Sequence, residues 1–208
     1  MAGQFIVIEG PDGTGKTTLA KALVEELNKT SPTILVREPG GCEASELIRN
    51  VALHEKVMGA NPNARMMLMF AARLQLCTEV ITPALLRGTN VVCDRYFIST
   101  EVYQVRLEGA SMTLFSELAY FVTRPDHVFL LRAPFEVCYA RTLDRDQKGR
   151  NGYDDVSLGK KKAIWEHYNN MTPKDLEYGQ RKTTASILDS AELSSAGLVK
   201  WITQAIGE

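Results

Sequence analysis

The chain carries no excess of charge: 24 lysines and arginines stand against 25 acidic residues, a formal net charge of −1 over 208 residues. Without a basic surplus a nucleic-acid polymer is not the expected partner, although a local cluster can still hold phosphates. Cysteines are few and scattered. Cys42, Cys77, Cys93 and Cys138 show no CxxC or CxxH spacing; Cys77 and Cys93 lie in apolar runs, and buried, reduced thiols are expected there. No apolar window approaches the length of a membrane span, and "MAGQFIVIEG" lacks the charged start and long apolar run of a secretion signal. The expectation is a soluble, cytoplasmic protein without a membrane partner. Repeats, low-complexity tracts and linkers are also missing, so residues 1–208 are expected to form one domain with a sizeable core.

What the chain does have is alternation. "FIVIE" (5–9), "TILVR" (33–37), "NVVCD" (90–94), "HVFLL" (127–131) and "ASIL" (185–188) are short, almost wholly apolar runs, as expected of strands covered on both faces. Helical periods fill 15–29, 43–54, 63–87, 111–122, 134–146, 156–170 and 195–206. Ser111 is a candidate N-cap and Pro134 a candidate first-turn residue. The pattern predicts an α/β fold of three layers, a five-stranded parallel sheet flanked by helices. "LDRDQKGRNGYDD" (143–155) is the longest polar stretch and is expected as a mobile excursion from the domain.

Between the first strand and the first helix lies "GPDGTGKTT". It fits G-x-x-x-x-G-K-[ST], and both the preceding strand and the following helix that the pattern demands are present. Loop N–H groups and the positive helix end make an anion cradle. Gly10, Pro11, Asp12, Gly13, Thr14, Gly15, Lys16, Thr17 and Thr18 are therefore the candidate ATP-binding residues. Lys16 is placed to bridge the β- and γ-phosphates, and the Thr17 hydroxyl to bind Mg²⁺. This identifies a P-loop NTPase fold but not the reaction. A guanine-selecting Asn-Lys-x-Asp is absent, which disfavours a GTPase.

Open parallel sheets bind ligands beyond the carboxyl ends of their strands. The second strand ends in Arg37-Glu38-Pro39-Gly40-Gly41 and the third in Asp94-Arg95-Tyr96. Asp94 is placed like a carboxylate that holds Mg²⁺ or its waters. Arg95 offers a donor fork matched to a phosphate, or else an ion pair with Asp94 or Glu38.

In order, "FIVIEGPDGTGKTT", "REPGG", "MLMFAARLQL", "DRYFISTEVYQ" and "ILD" resemble the motif set of thymidylate kinases, over most of the chain. The resemblance implies Mg²⁺-dependent transfer of the ATP γ-phosphate to dTMP, with a homodimer formed through helices around 43–122. It implies that Asp12 holds the acceptor 3′-hydroxyl, Arg73 the nucleotide near its base, and Arg95 the acceptor α-phosphate. Thr100 would address the thymine edge, Tyr103 would exclude a ribose 2′-hydroxyl, Gln104 would support the base or that tyrosine, and Pro39 would pack on the base. Asp94 or Glu9 would help seat the metal. Ser190, Ala191 and Glu192 would border the adenine.

Four departures stand out. Thymine is usually stacked on a phenylalanine four residues before the helix arginine; here Met69 holds that position and Phe70 lies one residue later, about 100° round the helix. Either one is a candidate base cover. Gly13 stands where some family members carry a P-loop arginine, so the missing charge is expected from the segment after strand four. Arg145 and Arg150 are the candidate catalytic arginines there, beside Arg141 and Lys148; such an arginine can be worth roughly 10³–10⁵ in rate. Arg132 replaces a usual aspartate, and Cys42 a frequent threonine. Two other readings compete: a kinase for dUMP or other deoxynucleoside monophosphates, and an ATP-binding switch with no acceptor.

Overall fold

The computed structural model of the chain describes residues 2–143, 156–176 and 183–207. Its five strands are β1 (Phe5–Glu9), β2 (Thr33–Arg37), β3 (Asn90–Asp94), β4 (His127–Arg132) and β5 (Thr184–Asp189). They pair in parallel in the order β2-β3-β1-β4-β5. The predicted strands all form, with β4 and β5 slightly longer than expected.

Helices α1 (Lys16–Leu27), α2 (Glu43–Ala52), α3 (Glu55–Met58), α4 (Pro62–Leu76) and α5 (Thr82–Leu86) precede or flank β3. After it come α6 (Phe97–Thr100), α7 (Met112–Tyr120), α8 (Phe135–Leu143), α9 (Leu158–Asn169) and α10 (Ser195–Gly207). Ser111 caps α7 by accepting from the Leu114 amide at 3.3 Å, and Pro134 sits one residue ahead of α8.

Residues of the central strands point alternately to the two faces, and each face has its own core. Phe5, Val7, Val91, Cys93, Val128 and Leu130 pack with Met66, Phe70, Phe115 and Tyr168. Ile6, Ile8, Val92, Phe129 and Leu131 pack instead with Leu19 and Leu23 of α1 and Leu198 and Ile202 of α10. Buried on both sides, the strands need no polar alternation, which is why their sequences are apolar throughout.

Two features depart from expectation. α4 runs through a π-helical turn, Cys77–Ile81, into α5, and the rod Pro62–Leu86 is long and apolar enough to cross a membrane, with 44% of its apolar 18-residue stretch buried. The expected absence of such a window thus fails. Met66, Phe70, Leu76, Cys77 and Ile81 of this rod are core residues, and it buries Arg65 and Arg73 in ion pairs. The second departure is α6 with the π-helical turn Glu101–Leu107 that continues it. A π turn bonds residues five apart, so its apolar positions do not follow the 3.6-residue period of an α-helix.

Candidate functional site

β1 and β2 both pair with β3, so the segments that follow these three strands converge on one cleft of about 680 Å³. One wall is the P-loop. Gly15 ends it in the left-handed region (φ 87°) and α1 begins at Lys16, which aims the first-turn amides and Lys16 into the cleft. Gly13 (φ 86°) lies against α8, where an added Cβ would stand 2.1 Å from the Cys138 carbonyl oxygen. An arginine cannot occupy that position without displacing the helix, which accounts for one departure from the family pattern. Thr14 Oγ1 donates to the Pro11 carbonyl at 2.9 Å and closes the loop on itself.

Lys16 is almost wholly buried. Its Nζ donates to the Pro11 carbonyl at 2.8 Å and lies 3.8 Å from Asp12 Oδ1. Burial, and next the charge of Arg95, lower its ammonium to about 8. Thr17 Oγ1 donates to Asp94 Oδ2 at 2.5 Å, and Asp94 Oδ1 is buried with no partner among the described residues. A hydroxyl beside an unmatched carboxylate oxygen fits Mg²⁺, which takes one or two protein oxygens and fills its shell with water and phosphate. Among the described residues no group of three or more His, Cys, Asp or Glu side chains is placed to hold a metal ion.

Glu9 departs from its expected role beside the metal. Oε1 accepts from the amides of Tyr96 and Ser99 at 2.7 and 3.1 Å, and Oε2 from the Ser99 and Tyr168 hydroxyls at 2.8 and 3.2 Å. With four donors on two oxygens it braces the start of α6 and does not line the cleft.

Arg95 follows β3 with φ 71°, a conformation costly for a non-glycine residue and here held by hydrogen bonds on both sides. Its amide donates to the Ile8 carbonyl at 3.0 Å, and the Cys93 thiol donates to its carbonyl at 2.9 Å. The guanidinium crosses back to the P-loop and pairs with Asp12 at 2.5 Å, not with Asp94 or Glu38. Burial opposes its charge, but Asp12 and the nearby phenols hold it well above the ordinary arginine range. Tyr103 is buried and faces Asp12 Oδ2 at 3.4 Å; burial, then Asp12, push its phenol up. Gln104 is buried too and lines the cleft. Both stand on the π turn, inside the cleft and not on the outer surface of a helix.

The opposite wall is built by α4. Arg73 Nε donates to Glu38 Oε2 at 2.6 Å and Nη2 to Thr100 Oγ1 at 3.0 Å. Burial pushes the Glu38 carboxyl up to about 7, although Arg73 pulls it down. Arg73 Nη1 and Glu38 Oε1 are buried without partners among the described residues. Both residues line the cleft beside Pro39 and Met69. Phe70 does not: it packs edge-on against Phe115 in the core, beneath the Arg73 guanidinium. One helical step thus separates a residue that lines the site from one that supports it.

Other residues at the site were not predicted. Arg141, passed over in favour of Arg145 and Arg150, lines the cleft and donates to the Gly13 carbonyl at 3.2 Å. Arg145 and Arg150 lie outside the described residues. Ser99 and Tyr168 meet at Arg95 although they are 69 positions apart. Ser99 lies within the DRYFISTEVYQ motif; a lone tyrosine on α9 carries no sequence signal. Arg132 donates to the carbonyls of Tyr168 and Met171, at and just beyond the carboxyl end of α9. That contact is the physical account of its place in the chain.

Residues 8–178 match the family model for thymidylate kinase. Thymidylate kinase of Pseudomonas fluorescens (strain SBW25) is 42% identical over 154 residues, 72% of this chain and 73% of the relative. Thymidylate kinase of Roseiflexus sp. (strain RS-1) is 39% identical over 181 residues, 85% of this chain and 76% of the relative. The crystal structure of thymidylate kinase from Ehrlichia chaffeensis covers both chains fully with a TM-score of 0.71 at 22% identity, a likeness of fold.

Proposed function

The chain belongs to the thymidylate kinase family of nucleoside monophosphate kinases, and we propose that it transfers the γ-phosphate of ATP to dTMP, giving dTDP and ADP. The observation that carries this reading is one cleft lined by two cations from different strand ends, Lys16 on the P-loop and Arg95 beyond β3, with Asp12 between them. A switch that only binds ATP needs the first alone.

In this reading the loop amides and Lys16 take the donor phosphates, and Arg141 reaches over the same loop. Arg95 holds the acceptor phosphate, Asp12 the sugar 3′-hydroxyl, and Tyr103 closes the space of a 2′-hydroxyl. The base lies between Pro39 and Met69, with Arg73 Nη1, Thr100 and Gln104 at its edge. The attacking oxygen is already anionic, so positioning and charge neutralisation suffice and no general base is required. Mg²⁺, held by Thr17 and Asp94, would neutralise charge on the β- and γ-phosphates. Leu47 and Val51, one turn apart on α2, and Met67 on α4 are exposed, an apolar face that supports a homodimer. We assign the protein to the cytoplasm, without membrane or nucleic-acid partners.

A coupled ADP-release assay over dTMP, dUMP, dCMP, dAMP and dGMP tests the proposal. The expected result is a clear preference for dTMP. Equal turnover of all five removes the thymidylate assignment. Met69 in place of an aromatic base cover favours one second reading, a wider pyrimidine range, which predicts appreciable turnover of dUMP.

A further inference from the structure

We propose that Tyr168, on α9, is a positioning residue for the acceptor phosphate and acts through Arg95; this rests on the dTMP kinase reading above. Nη1 of Arg95 faces two hydroxyl oxygens, Ser99 Oγ at 3.1 Å and Tyr168 Oη at 3.4 Å. Ser99 Oγ donates to Glu9 Oε2 at 2.8 Å, and Tyr168 Oη, 2.9 Å from Ser99 Oγ and 3.2 Å from Glu9 Oε2, gives its proton to one of these two oxygens. A hydroxyl has one proton, so each then turns lone pairs toward the guanidinium. Glu9 is itself fixed by the Tyr96 and Ser99 amides, so the acceptors are aimed by a chain that begins in β1.

Tyr168 cannot drift from this position. Its ring is fully buried in the sheet core, and its carbonyl accepts from Arg132 at 3.3 Å. Burial, then the Glu9 charge, keep the phenol protonated by raising it well above its ordinary range. One side of the Arg95 fork is therefore occupied by fixed neutral acceptors, and the other meets Asp12 at the P-loop. An arginine held from both sides loses little freedom when it grips a phosphate, which is the gain from preorganisation. A buried tyrosine that only filled the core would need no such alignment.

Tyr168→Phe keeps the ring and removes the acceptor. The expected result is a dTMP KM raised roughly ten-fold, the effect of one hydrogen bond to a charged group. The ATP KM and Tm should stay near wild type. The effect should vanish in an Arg95→Lys background, because the two changes act on one contact. An unchanged dTMP KM overturns the proposal, as does an equal rise in the Arg95→Lys background. So does a rise in both KM values together with a fallen Tm, the signature of packing alone. Ser99→Ala removes the companion acceptor and, should Tyr168→Phe not fold, is judged by the same results. A wild-type chain inactive on dTMP overturns the underlying reading and this proposal with it; an active wild type with unaltered variants overturns this proposal alone.

Discussion

Along the P-loop wall, Lys16 and Arg95 bond to main-chain oxygens and to Asp12, and Arg95 is also fixed by Ser99 and Tyr168. Along the α4 wall, Arg73 and Glu38 bond to each other, and each keeps one buried atom without a partner among the described residues. In the proposed reading the first wall meets phosphate, which every nucleotide carries, and the second meets the base, which differs among nucleotides. Buried unmatched atoms are costly, so they reward the ligand that matches them and penalise one that does not. Affinity is expected to reside mainly in the first wall and discrimination in the second.

The largest expected effect is on the P-loop wall. Arg95→Ala should lower kcat/KM for dTMP about 10²-fold or more, since it removes a charge-assisted contact to phosphate and the ion pair with Asp12. ATP affinity should be spared. Because Arg95 has φ 71°, alanine also meets backbone strain there, whereas glycine does not. Arg95→Gly should therefore lose as much activity but less stability, by about 1 kcal/mol in chemical denaturation. Normal dTMP kinetics in either variant would remove Arg95 from the acceptor site.

The next effect comes from Lys16, whose ammonium is lowered to about 8 chiefly by burial. Below that pH it is charged and binds phosphate directly; above it, binding must first take up a proton. ATP affinity should fall up to tenfold per pH unit above 8, with proton uptake seen in calorimetry across buffers of different ionisation enthalpy. A flat affinity between pH 7 and 9.5 contradicts this.

On the α4 wall the corresponding group is Glu38, raised from 4.5 to about 7 by burial. An acid with a raised folded pKa binds its proton in the folded state after the unfolded chain has lost it. Its contribution to stability is full below pH 4.5 and is lost as pH rises to 7. The loss is at most roughly 3 kcal/mol from this group. Glu38→Gln should flatten that slope in urea melts between pH 4.5 and 7; an unaltered slope assigns it to other groups.

How much of this was legible follows from where the information sits. β1 and the P-loop are contiguous, and their glycines, lysine and apolar run could be recognised without coordinates. Arg73 and Glu38 lie 35 residues apart and Ser99 and Tyr168 69 apart, so only the folded sheet brings them together. Tyr103 and Gln104 carried a motif, but their burial depended on the π turn, which leaves no 3.6-residue signature. Glu9, expected as an alternative to Asp94 beside the metal, accepts from the start of α6 instead; a strand-end acid next to a P-loop has the same letters in either place.

The smallest effect sharpens the second wall most, at Met69 and Phe70. Met69 lines the cleft and Phe70 packs on Phe115. Phe70→Leu should cost about 1–2 kcal/mol and lower Tm by several degrees, leaving the dTMP to dUMP preference within twofold. Met69→Phe should do the reverse, shifting that preference a few-fold with Tm nearly unchanged, because a flat ring constrains the pyrimidine face more than a pliable thioether does. Were Phe70 the variant that altered base preference, α4 would have to be turned by about 100° in the complex. The contact between Arg73 and Glu38 would then break too, so Glu38→Gln should no longer alter the pH slope when dTMP is bound. The two measurements together separate a fixed wall from one that rearranges around its base.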